Sequence, residues 1–378
     1  MPLDKSIVAP KTERELSEFV KATISRLRIL GAGTRPISLP IYEAALSTSN
    51  LKGVTLYEPG ALTIVARAGT PMSELNAVLE AENQHLSFEP MDHRQLLSTS
   101  GEPTIGGVVA TNTSGSRRIQ AGACRDSLIG VRFIDGAGNI LKNGGRVMKN
   151  VTGYDLVKLM AGSYGTLGVI SEVSFKVLPI PEVVGTLILN VSQVSTAVEI
   201  MSMALGSPYD ISGAAFNPRS GEVFIRLEGT ENSVKMRGSS LSKLLSEFDQ
   251  QIIETDYDRN SIIWNTIRNV TSFSKKSGDV WRISVKPSDA SFVVNALSPA
   301  EFVLDWGGGL VWALVNQQLD VRSRLGAIAG HATLIRAKSG VEKKFSTFHP
   351  EGPVIDLISK KLREKFDPRQ LFNQGTFG

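Results

Sequence analysis

Between Thr104 and Ile170 the chain reads TIGGVVATNTSGSRRIQAGACRDSLIGVRFIDGAGNILKNGGRVMKNVTGYDLVKLMAGSYGTLGVI, with a glycine at nearly every junction between apolar runs. Glycine has no Cβ, so it reaches positive φ and lets a backbone N–H come close to a ligand. Thr104, Thr111, Asn112, Ser114, Ser116 and Thr166 set small hydroxyl and amide groups between these glycines. Such a run suits a long, polar, phosphate-bearing ligand gripped by main chain. It equally suits a loop-rich sheet with many tight turns, and glycine spacing alone does not choose between the two.

The rest of the composition excludes several functions. At 378 residues and 42% hydrophobic content the chain is long enough for two domains, each with its own core. Its 41 basic and 37 acidic residues are interspersed, and no Lys/Arg block points to nucleic acid. A single cysteine, Cys124, rules out an internal disulfide framework and a cysteine-ligated iron–sulfur cluster or zinc site within this chain. The four histidines, His85, His93, His331 and His349, lack the short spacing of a metal motif, so no metal site is expected. The N-terminus has no apolar signal region, and no run of about eighteen apolar residues follows. These features read as a cytoplasmic protein without direct membrane insertion, touching a membrane only through a partner.

Periodicity predicts alternating helices and strands. Thr12 and Glu15 form a capping box for a helix with Leu16, Phe19, Val20 and Ile24 on one face. A short strand, Leu27 to Leu30, runs into Gly31-Ala32-Gly33-Thr34-Arg35-Pro36. A dinucleotide fingerprint needs a third glycine where Pro36 stands and a helix that Pro36 and Pro40 oppose, so only an anion-binding backbone nest survives there. Strands follow at Val54 to Tyr57 and Leu62 to Ala68, then a helix capped by Thr70. Ile105 to Ala110 reads as a short helix, Asn112 to Arg125 as a loop, Leu128 to Lys142 as a hairpin and Leu167 to Leu178 as a long strand. Pro179 and Pro181 mark the domain boundary. Beyond them strand and helix alternate in a pattern that roughly recurs, ending in a helix over Pro353 to Phe366 and a turn-rich tail.

The order of the motifs resembles the FAD-binding proteins of the vanillyl-alcohol oxidase (PCMH) type, and among them the E-type FAD-binding subunits of glycolate oxidase. The matching segments are Gly31-Ala32-Gly33-Thr34, Phe88-Glu89-Pro90, Thr104-Ile105-Gly106-Gly107, Ser114-Gly115 and Gly122-Ala123-Cys124-Arg125-Asp126, then Val147 to Asp155 and Gly165 to Ile170. In the second half they are Trp281-Arg282, Trp306-Gly307-Gly308, Gly330-His331-Ala332-Thr333 and Phe366-Asp367-Pro368. Each is weak alone; their order and spacing together are specific.

The resemblance implies an α+β protein. A PCMH-type two-subdomain FAD-binding fold (1–178) would be followed by a ferredoxin-like antiparallel-sheet cap (179–360) and a tail (361–378) returning to the first domain. It further implies that Gly31, Ala32, Gly33, Thr34, Arg35, Pro90, Thr104, Ile105, Gly106 and Gly107 embrace the pyrophosphate and flavin. Asn112, Ser114, Gly115, Gly122, Arg125 and Asp126 would line the remaining channel, with Gly165, Gly168, Val169 and Ile170 toward the adenine. Relatives that attach FAD covalently use a histidine in the first glycine loop; positions 31 to 40 hold none, which implies noncovalent FAD. The implied activity is oxidation of glycolate to glyoxylate within a complex containing a D-type FAD subunit and an iron–sulfur F-type subunit. A stand-alone FAD-dependent 2-hydroxy-acid dehydrogenase and a flavin-free structural subunit are the alternatives.

Oxidising a 2-hydroxy acid needs a base for the hydroxyl proton and a cation for the carboxylate. His93 and His331 are the candidate bases and Arg117 the candidate cation, with Arg118 and Arg125 beside it. Structural roles stand against each: a satisfied core histidine, a loop brace, an Arg125–Asp126 ion pair. Cys124 reads as a small buried filler, and Trp281, Trp306 and Trp312 as core anchors.

Overall fold

A computed structural model describes residues 7–36, 42–145, 153–248, 251–337 and 345–377; the segment Val147 to Thr152 of the family pattern lies outside them. Three short strands, β1 (Ile7–Val8), β2 (Leu27–Leu30) and β3 (Ala44–Ser47), pair in parallel in the order β1-β3-β2. The helix Glu13–Ala22 crosses between the first two, burying Leu16 and Val20. Thr12 caps it by accepting from Glu15 N at 3.1 Å, but the Glu15 carboxylate takes Lys11 N instead of closing the box. Ile24, expected on the buried face, is 91% exposed, because the helix has ended at Ala22.

A second sheet opens with β4 (Val54–Glu58) and β5 (Thr63–Arg67). After the short strand β6 (Gln84–His85) it is completed by β7 (Leu128–Ile134), β8 (Ile140–Gly144) and β9 (Val169–Lys176). The antiparallel order is β4-β5-β9-β7-β8, and β10 (Leu178–Pro179) returns to pair with β6. Helix Met72–Glu80 starts from Pro71 with no side-chain cap. Thr70, the expected cap, instead accepts from Gly53 N and donates to the Arg67 carbonyl. Helix Ile105–Ala110 inserts Ile105 and Val109 into the core beside Phe88, Phe133 and Phe175. Each such side chain contributes about 1.5–3 kcal/mol on burial.

The second half repeats one unit twice. The first copy is β11 (Val183–Asn190), helix Val194–Leu205, β12 (Gly213–Asn217), β13 (Glu222–Gly229), helix Glu231–Leu244 and β14 (Gln251–Glu254). The second is β15 (Asp279–Ser284), helix Ala290–Leu297, β16 (Glu301–Asp305), β17 (Leu310–Val315), helix Val321–Leu325 and β18 (His331–Arg336). All eight strands form one antiparallel sheet, β14-β11-β13-β12-β16-β17-β15-β18, joined at its middle by β12 and β16. Each half keeps the ferredoxin-like order, and this explains the recurrence in the sequence. The last helix of the second copy begins at Val321, where the Asp320 carboxylate caps it through Ser323 N at 3.0 Å.

Four helices cover one face of this sheet around Trp281, Phe216 and Met201. A further helix, Tyr257–Asn269, which the sequence reading passed over, sits on the other face. There Trp264 and Ile267 cluster with Phe224 and Trp312, and with Met91 and Leu96 of the first domain. Helix Pro353–Phe366 then leads the tail back: Leu27 N donates to Leu371 O at 2.7 Å and Asn373 N to Leu27 O at 3.0 Å, extending the β2 edge.

Candidate active site

The two sheets of the first domain flank a cleft of about 1030 Å³, its open mouth included. It is bounded by Arg28 to Pro36, by Thr104, Gly106 and Gly107, by Tyr164, Gly165, Gly168 and Ile170, and by Asn373 from the tail. No aspartate or glutamate lines it; Arg28, Arg35 and His93 do. None of the backbone N–H groups from Gly31 to Arg35 donates to another group among the described residues. Five successive N–H groups without a partner among the described residues, beside a cation, are suited to a diphosphate. Gly33 has φ 73° and open space where a Cβ would project.

The two glycines of the short helix divide the work. A Cβ on Gly107 would meet only Thr104 Oγ1, at 3.3 Å, so this residue is turned toward the cleft. A Cβ on Gly106 would lie 2.7 Å from the Ala68 carbonyl oxygen, so that glycine serves close packing on the strand behind. Free donors, a cationic rim and an absence of carboxylates fit FAD.

Other expected cofactor residues are spent on the loop itself. Asn112 Oδ1 accepts from Arg125 N at 3.0 Å, Ser114 Oγ from Cys124 N at 3.0 Å, and Asp126 Oδ2 from Ala123 N at 2.8 Å. Gly122 (φ 80°) packs on the Asp126 side chain, Gly115 on the Glu89 carbonyl, and Pro90 lines a separate cavity at the domain seam. Ile105 and Val169 are core residues. Arg125 lies 3.7 Å from Asp126 and is half exposed. Arg117 is buried at the seam with Glu228 at 3.1 Å, among Glu89, Arg226 and His85, away from the residues lining the cleft.

His93 is buried at the cleft wall. Burial first, then the nearby charges of Arg35 and Arg282, hold its pKa well below the ordinary histidine value, while a hydrogen bond to the Met91 carbonyl opposes this. The ring is therefore neutral at pH 7. His331, at the exposed head of β18, is also shifted down by burial and by Arg282. Arg35 reaches Thr113 Oγ1 and the Tyr164 hydroxyl, both at 3.3 Å.

Arg282 escaped the sequence reading, which placed it only in a family motif. Strand alternation was the available signal: Trp281 and Ile283 point into the helical face of the cap, so Arg282 points to the first domain. Its guanidinium has no hydrogen-bond or carboxylate partner among the described residues. Desolvation, with Arg35 and Arg118 near, lowers its pKa to about 10, so it stays charged. Arg282 is half-buried, and a desolvated guanidinium without a salt bridge is costly, a cost that an anion offsets.

A two-sheet cleft rich in backbone donors, beside a ferredoxin-like cap, defines a PCMH-type FAD-dependent oxidoreductase. The FAD binding domain family matches residues 5–144. Glycolate oxidase subunit GlcE of Escherichia coli (strain K12) is 36% identical over 339 residues, covering 89% of this chain and 87% of that one. Mitochondrial D-2-hydroxyglutarate dehydrogenase of Rattus norvegicus is 24% identical over 98% of this chain and 77% of its own. Among solved structures, an alkyldihydroxyacetonephosphate synthase superposes with a TM-score of 0.69 at 16% identity, over 97% of this chain and 75% of that one. A chitooligosaccharide oxidase does so with 0.68 at 14%, over 97% and 89%. The chain belongs to the PCMH-type FAD-binding family, with the glycolate oxidase E-type subunits. No helix among the described residues is long and apolar enough to cross a membrane.

Proposed function

We propose that this chain is the FAD-binding E-type subunit of a glycolate-oxidising complex and takes glycolate to glyoxylate. The observation that carries the reading is Arg282, a charged guanidinium with no salt bridge among the described residues, near neutral His93 at the wall of the FAD cleft. FAD, held noncovalently by Gly31 to Arg35 and Gly107, would supply the two-electron acceptor. Arg282 would bind the substrate carboxylate and orient the carbinol carbon toward the cleft. The His93 nitrogen not engaged with Met91 would take the hydroxyl proton, and His331 is a second candidate for that role.

Onward transfer falls to partners. One cysteine cannot ligate an iron–sulfur cluster, so electrons would pass to an iron–sulfur F-type subunit, with a D-type FAD subunit completing the complex. A GlcE relative, itself named a subunit, supports the heteromeric reading. Attachment to the inner membrane would then run through those partners.

The test is Arg282→Gln in the assembled complex. Losing a charge-assisted contact of about 2–3 kcal/mol lowers kcat/KM for glycolate by roughly 30- to 160-fold, with flavin content unchanged. An unchanged kcat/KM would assign carboxylate binding to another chain.

A further inference from the structure

Trp306 occupies a backbone conformation that a bulky side chain rarely takes. Its φ is 56°, and Gly307 and Gly308 follow at 67° and 96°. Such a conformation persists only where its surroundings over-determine it. Here they do: the buried Asp305 carboxylate accepts from Trp306 N at 2.7 Å and from Ser116 Oγ of the first domain at 2.8 Å. The indole N–H donates to the Gly115 carbonyl at 2.9 Å, also across the seam. The ring is thereby fixed relative to both domains.

Two guanidiniums lie over that ring. Arg282 Cζ is 4.9 Å and Arg118 Cζ 5.3 Å from the ring centroid. Neither guanidinium makes a hydrogen bond or a salt bridge among the described residues; the carboxylates of Asp305 and Asp126 act on Arg282 and Arg118 only from farther off. An aromatic face attracts a guanidinium without occupying its N–H donors, whereas a carboxylate would occupy them and cancel the charge. Packing at the seam calls for any large apolar residue; the observed arrangement instead keeps two cations oriented and unspent.

We propose that Trp306 is a positioning residue: it holds the Arg282 guanidinium by stacking, with its donors free, so that a substrate carboxylate meets it in one orientation. Arg118, stacked on the same ring, reinforces the positive field at that point. The inference rests on the reading that Arg282 binds the carboxylate.

The experiment compares Trp306→Phe, Trp306→Leu, Arg282→Gln and the Leu/Gln double variant in the assembled complex. It reads KM and kcat for glycolate, the Kd for oxalate by calorimetry, and flavin content. Trp306→Phe keeps the aromatic face and should stay within about threefold of wild type. Trp306→Leu should raise KM and the oxalate Kd roughly 10- to 30-fold with little change in kcat or flavin content. The double variant should bind oxalate no more weakly than Arg282→Gln alone. An unchanged Kd in Trp306→Leu, equal losses in the Phe and Leu variants, or additive losses in the double variant would overturn the stacking role while leaving Arg282 in place. No effect of Arg282→Gln would remove the carboxylate reading and this inference together.

Discussion

Arg226 of the cap donates from two nitrogens to the two carboxylate oxygens of Glu89 in the first domain, at 3.1 and 2.9 Å. Arg226 is buried and Glu89 mostly so, and the pair faces Glu228, which also pairs with Arg117. Burial alone would raise the Glu89 pKa; Arg226 more than reverses this and holds it below the ordinary carboxylate range. The seam that orients Arg282 toward the FAD cleft is thus fastened by a bidentate ion pair.

Removing Glu89 strips the buried Arg226 of its bidentate partner and leaves it only Glu228, at 3.6 Å. Glu89→Ala should destabilise the protein by about 1–3 kcal/mol, measured by urea unfolding. The double change Glu89→Leu with Arg226→Met should recover much of that loss, since isosteric apolar replacement of a buried pair is often near neutral. A loss under about 1 kcal/mol in Glu89→Ala would mean that water reaches the pair.

The two glycines of helix Ile105–Ala110 should part company under substitution. Gly107→Val adds a side chain toward the cleft and should yield folded protein with strongly reduced flavin content. Gly106→Val must displace the Ala68 backbone and should cost about 1–3 kcal/mol or more of stability. Flavin-to-protein ratio and thermal midpoint, measured together, separate the two effects.

His93 sets a pH dependence whose direction follows from its lowered pKa. Below about pH 6.5 the unfolded chain takes up a proton that the native ring refuses, so stability is lost as pH falls through that value. His93→Gln should flatten the slope of unfolding free energy below pH 6.5 by up to about 1.4 kcal/mol per pH unit. Part of the slope remains, because His85, His331 and His349 are shifted the same way. Asp305, raised to about 6 chiefly by burial, acts in the opposite sense: its contribution declines as pH rises from 3.8 to about 6. As a base, His93 should also keep kcat/KM for glycolate flat down through pH 6.5, where an ordinary histidine would already be losing activity.

Local rules made much of this chain legible. Ile105–Ala110, expected as a short helix, is one, and Thr104 caps it by accepting from Gly107 N at 3.4 Å. The recurrence after Pro181 proved to be two ferredoxin-like units in one sheet. Cys124 is a buried filler whose thiol is pushed up by desolvation. What escaped was set by tertiary contact. Helix Tyr257–Asn269 carries Asn260, Asn265, Arg268 and Asn269 toward a polar interdomain cavity, so its periodicity is not apolar and a hydrophobic pattern does not reveal it. Arg117 and Arg282 look alike in sequence. Only the fold shows that one is salt-bridged to a carboxylate, while the other lies over an indole with no salt bridge among the described residues.

The most direct test of the account is the flavin content of the natively purified chain. The prediction is one FAD per chain, released entirely into the supernatant when the protein is precipitated with acid, as the proposed noncovalent site at Gly31 to Arg35 requires. A colourless protein that takes up no added FAD, or flavin that stays in the acid pellet, would contradict it.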